Sequence, residues 1–92
     1  MLYHVVLFTM KDTERHQLES LIGELRQLAD LPMVKGLACG TNLASTEYDA
    51  GLTVQLANPE ALADYRSHPR HRPVLERLTN LCRSIDVADF VA

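Results

Sequence analysis

The sequence predicts an α+β domain of element order β-α-β-β-α-β, with a four-stranded antiparallel sheet and the helices on one of its faces. Three observations predict it. Apolar spacing switches twice from strand-like period two to helical period 3.6. Proline, glycine and asparagine stand at the boundaries of the periodic runs, and no repeat or linker interrupts the order. The chain of 92 residues has room for one domain, residues 1–92, and for one small core.

Residues 3–10 are β-branched and aromatic, and Lys11-Asp12 ends them. Tyr3, Val5 and Leu7 alternate with Val6, Phe8 and Met10, so this strand is apolar on both faces and calls for cover on both. From Thr13 the period changes, with Leu18, Leu21, Ile22, Leu25, Leu28 and Ala29 at helical spacing. Asp12 or Thr13 is the expected cap, and Leu31-Pro32 the expected end, because proline pushes its predecessor out of the α region. Residues 34–43 make a weaker strand, interrupted by Gly36 and Gly40, and residues 42–47 a polar loop. Residues 48–56 alternate as a half-buried antiparallel strand, with Tyr48, Ala50, Leu52, Val54 and Leu56 on the apolar side.

Asn58-Pro59 begins the second helical stretch, since Asn58 can accept an orphan amide and Pro59 has none to lose. Pro69 and Pro73 cannot both lie inside one regular helix, so a break belongs near His68. Val74, Leu75, Leu78, Leu81 and Cys82 then resume helical spacing, and a strand over residues 85–91 closes the chain. This is the split βαβ, ferredoxin-like plan. A domain of this size buries only about 65% of the surface of its unfolded chain. Together with the doubly apolar first strand, that predicts a homodimer in which two sheets close a barrel-like α+β assembly.

Hydrophobic residues make up 47% of the chain and charged ones 23%, which excludes a disordered or low-complexity segment. The net charge of −3 excludes a general nucleic-acid binder. Charge is uneven, however: residues 66–83 hold Arg66, Arg70, Arg72, Arg77 and Arg83 against only Glu76. That run reads either as a solvated helix face or as a site for an anionic ligand. Cys39 and Cys82 lack disulfide-framework or zinc-like spacing, and no long apolar segment appears. The expectation is a cytoplasmic protein with reduced thiols and no membrane partner.

His16 falls off the apolar stripe of the first helix and reads as a surface residue. His4 lies among apolar neighbours, where a buried histidine can be satisfied by a backbone carbonyl. Tyr65, His68 and His71 gather at the helix break. His68-x-x-His71 has metal-like spacing but is half a site, so no metal is expected. Two readings stay open for this cluster. In one, His68 and His71 cap the following helix and the Tyr65 hydroxyl is paired in the core. In the other, His71 is a general base or acid near pH 7, and Tyr65 polarises a substrate carbonyl or orients the imidazole. No phosphate loop, nucleophile elbow or nucleotide fingerprint is present, and no cofactor is expected.

The opening Tyr-His-Val-Val-Leu-Phe-Thr-Met-Lys, the Tyr48-Asp49 pair, the Tyr65-x-x-His68-Pro69-x-His71 block and the closing Asp89-Phe90 resemble the stress-responsive A/B-barrel domain (Dabb) family over essentially the whole chain. The resemblance implies a ferredoxin-like subunit in a dimeric α+β barrel. One plant branch of that family, olivetolic acid cyclase, closes a linear polyketide thioester by aldol condensation with a histidine and a tyrosine of this block. Carried over, His71 is the base, Tyr65 its partner, His4 a residue of the same cavity, and His68 a turn or ligand-contacting residue. The implied function is to bind a small carbonyl-containing or aromatic metabolite, with cofactor-free proton-transfer chemistry on it. Competing readings are a non-catalytic stress-response or binding protein and a cofactor-free monooxygenase-like enzyme. A shared site requires His4, Tyr65 and His71 on the same side of the sheet.

Overall fold

The β-branched run at the start of the chain forms β1, Leu2–Met10. Leu2, His4, Val6, Phe8 and Met10 are buried on one face, while Tyr3 and Val5 are half-buried and Leu7 exposed on the other. The computed structural model describes residues 1–44 and 47–92. After β1 the helical spacing resolves into three pieces: a 3₁₀ segment Asp12–Gln17, helix α1 Leu18–Gln27, and a closing 3₁₀ turn Leu28–Asp30. Neither Asp12 nor Thr13 makes a side-chain cap. The Asp12 carboxylate is taken by Arg15, which also pairs with Asp49. Leu31 turns to extended backbone before Pro32, as the proline dictates. Leu21, Ile22, Leu25 and Leu28 form the buried stripe of this unit.

Strand β2 is Gly36–Thr41, shorter than the apolar run suggests, and β3 is Ala50–Leu56. Ala50, Leu52, Val54 and Leu56 are buried in strict alternation. Tyr48 stands before the strand instead of on its apolar face, and its hydroxyl donates to Asp86 at 2.6 Å. Of the predicted polar loop, Ser45 and Thr46 lie outside the described residues. Helix α2, Pro59–Ser67, is capped by Asn58, whose Oδ1 accepts from the Ala61 amide at 2.9 Å. His68 takes extended backbone ahead of Pro69, and helix α3, His71–Leu81, begins two residues after that proline. Pro73 thus falls in the first turn, where its missing donor leaves no bond unmade. Strand β4, Cys82–Val91, follows α3 directly and starts three residues before the predicted position.

All pairings are antiparallel, in the order β2-β3-β1-β4. The helices cover the face that holds Leu2, Val6, Phe8, Leu52, Val54 and Leu56, which gives the four-stranded ferredoxin-like fold. The opposite face presents Tyr3, Val5, Leu7 and Phe90, and Tyr3 stacks on Phe90 with ring centroids 5.5 Å apart. Cys39 and Cys82 are buried and unbridged, and burial pushes the Cys82 thiol up to about 11. Among the described residues no helix is long and apolar enough to cross a membrane.

Candidate functional site

The site is assembled from a strand and a helix break. Leu62 and Tyr65 share the buried face of α2 at i, i+3 spacing. The break after Ser67 redirects the chain so that His71, the first residue of α3, is also buried. The rings of Tyr65 and His71 have centroids 4.5 Å apart. His4 comes from β1 on the helix-covered face, and its ring meets that of Tyr65 edge-on at 5.8 Å. The structure therefore brings His4, Tyr65 and His71 together. It does not bring in His68, a turn residue: its Nδ1 accepts from the Arg70 amide at 3.1 Å, and its carbonyl from the His71 amide at 2.9 Å. His16 is exposed.

A cavity of about 300 Å³ lies between the sheet and the helices. Leu25, Leu28, Leu52 and Leu78 supply much of its apolar wall, and His4, Tyr65, Arg66 and His71 supply the polar part. The volume is at the lower end of the range for small-molecule sites.

Two groups of polar atoms adjoin the Tyr65 ring. In the first, His4 Nδ1 is 2.5 Å from Asp89 Oδ1, and Asp89 Oδ2 accepts from Arg66 Nη2 at 2.6 Å. A carboxylate accepts, so the proton between His4 and Asp89 sits on Nδ1, and the contact orients the imidazole. His4 is thus satisfied by a carboxylate and not by a backbone carbonyl. In the second group, the Tyr65 hydroxyl and His71 Nδ1 are buried with no hydrogen-bond partner among the described residues. Burial lowers the His71 pKa from its ordinary value, an effect only partly offset by the Arg66 backbone carbonyl. Burial also pushes the Tyr65 hydroxyl up to about 12. Near neutrality the imidazole is therefore uncharged and the phenol protonated, a base beside a donor. Of the capping reading, His68 Nδ1 does accept the Arg70 amide just ahead of α3, but His71 makes no cap and the Tyr65 hydroxyl has no partner among the described residues.

Asp89 and Arg66 are the residues that sequence reasoning missed. Asp89 stood in the closing Asp-Phe pair without a role, and Arg66 in the arginine-rich run. Their signal lies in the β1–β4 register, which sets His4 opposite Asp89. Among the described residues no group of three or more His, Cys, Asp or Glu side chains is arranged to hold a metal.

The model of the Stress responsive A/B Barrel Domain (Dabb) family matches residues 2–92. No curated protein sequence matches the chain. Several solved structures do. A dimeric ferredoxin-like protein of unknown function from Thermobifida fusca YX is 28% identical, with a TM-score of 0.88 over 99% of this chain and 90% of that one. A Dabb family protein with a ferredoxin-like fold from Mesorhizobium loti MAFF303099 is 20% identical, with a TM-score of 0.85 over 99% and 95%. The hydroxynitrile lyase of Passiflora edulis is 15% identical, with a TM-score of 0.89 over 99% and 92%.

Proposed function

The chain belongs to the stress-responsive A/B barrel domain (Dabb) family, and on that premise we propose that its cavity binds a small carbonyl-containing or aromatic metabolite and moves a proton on it. One observation carries this reading. Tyr65 and His71, both in the wall of an apolar cavity, each keep a buried polar atom without a partner. Folded proteins pair nearly all such atoms, and leaving one unpaired is destabilising by about 1–3 kcal/mol. Two of them on adjoining rings are accounted for when a ligand supplies the partners.

In the reaction proposed here, neutral His71 takes the proton from a carbon beside the ligand carbonyl through Nδ1. The Tyr65 hydroxyl donates a hydrogen bond to the oxygen on which negative charge develops. Its raised pKa keeps that proton in place. His4, oriented by Asp89, offers a second proton-transfer nitrogen at Nε2, and Arg66 holds Asp89 from the far side. The Passiflora hydroxynitrile lyase gives independent support that this fold can house an enzyme. The wider reading includes a homodimer, formed by pairing the uncovered sheet faces of two copies.

The test is deuterium uptake at the carbon between the carbonyls of 2-methyl-1-phenylbutane-1,3-dione, followed by proton NMR. Wild-type protein accelerates uptake above buffer, and His71→Ala removes about 10²-fold or more of that acceleration. Uptake no faster than buffer, or equally fast in His71→Ala, overturns the catalytic reading.

A further inference from the structure

We propose that the cavity is selective for an organic anion, a molecule whose apolar body fills the chamber and whose carboxylate is held by Arg66. The inference rests on the cavity being a binding site and adds the charge of its ligand.

Arg66 is the only Lys or Arg in the cavity wall among the described residues, and no Asp or Glu lines it. Nη2 donates to Asp89 Oδ2, which holds one corner of the guanidinium plane. That plane carries five N–H donors, and those not spent on Asp89 meet no protein acceptor among the described residues. The side chain is 54% exposed, so it belongs to the rim, where a charged group can stay partly hydrated while the rest of the ligand enters. Asp89, which is not in the cavity wall, offsets the Arg66 charge from behind, so selectivity rests on the guanidinium donors that Asp89 leaves free.

The arginine-rich run supplies the surrounding field. Arg77 is engaged by Glu24, but Arg70 and Arg72, on either side of His71 in the chain, are exposed and have no ion-pair partner among the described residues. Three of the five arginines of the run thus gather around the α2–α3 break that supplies Tyr65 and His71. A carboxylate loses hydration on entering an apolar chamber unless a charged, oriented donor replaces it, and an arginine fork is suited to that exchange. A cationic ligand meets the same fork with like charge.

The experiment is calorimetric titration with 4-oxo-4-phenylbutanoate and with its methyl ester, which share the aryl ketone and differ in charge. Wild-type protein is expected to bind the acid about tenfold or more tightly than the ester at low salt. Arg66→Gln is expected to abolish that preference, the acid losing about tenfold or more relative to the ester. Added salt narrows the gap in the wild type. Equal affinities for acid and ester in the wild type, or a preference that survives Arg66→Gln, overturn the anion inference and leave the binding site standing. Binding of neither compound overturns both.

Discussion

Tyr65 is fully buried, and its ring lies against those of His4 and His71, yet its hydroxyl meets no partner among the described residues. Tyr65→Phe keeps the ring and deletes the unpaired group. The variant should therefore equal the wild type in stability or exceed it by about 1 kcal/mol, read by urea unfolding at fixed protein concentration. A loss of that size would show that the hydroxyl is a structural group and would remove the main support for a ligand site. His71 adds a dependence on pH. Its folded pKa lies below the ordinary 6.5, so below that value the unfolded chain binds the proton more readily. Its contribution to stability is complete above pH 6.5 and declines as pH falls toward the folded value. Stability of the wild type should fall more steeply between pH 6.5 and 5 than that of His71→Phe, and parallel curves would contradict the assigned shift. At this scale the sequence reveals His4, Tyr65 and His71 by residue type and neighbourhood. It hides Asp89 and Arg66, because an aspartate in an alternating strand has no visible partner until strand pairing sets it opposite His4.

Elements differ in how plainly they announce themselves. The break between α2 and α3 follows from two prolines four residues apart, and the start of α2 from Asn58-Pro59, because both act through local stereochemistry. Asn58→Ala removes the bond to the Ala61 amide and should lower stability by about 1 kcal/mol, with Asn58→Asp retaining most of it. An Asn58→Ala midpoint equal to that of the wild type would mean that α2 is held by packing alone. Other features were not legible. The closing 3₁₀ turn after α1 buries Leu28 as an uninterrupted helix would, since i, i+3 spacing serves both geometries, while the opening segment Asp12–Gln17 buries no residue. Tyr48 reads as a strand residue by alternation, but its hydrogen bond to Asp86 of β4 is a contact between distant parts of the chain. Asp49 beside it holds the Met10 amide and Arg15, and so fastens the end of β1 to the start of β3.

At the scale of the whole molecule the unsettled surface is the sheet face that no helix covers. Leu7 at its centre is 38% exposed and Phe90 at its edge 50% exposed. Gly51 opposes Leu7, and a Cβ there would come within 3.2 Å of the Leu7 side chain, so the glycine leaves room for leucine to lie flat on the sheet. An apolar patch of this kind suits a second copy of itself, as the doubly apolar β1 already suggested. The sequence made that need for cover legible, but not the geometry of the contact, because self-association depends on a shape that alternation does not encode. Sedimentation should give twice the mass of the chain, and the unfolding midpoint should rise with protein concentration. Leu7→Lys, placing a charge at the centre of the face, should yield monomers and abolish that concentration dependence. The same strands carry His4 on the covered face and Tyr3 on the other, so the variant also asks whether the cavity depends on assembly. A monomeric Leu7→Lys protein that still binds the aryl ketone acid would place the whole binding site within one subunit. A wild type that sediments as a monomer at every concentration would refute the paired barrel itself.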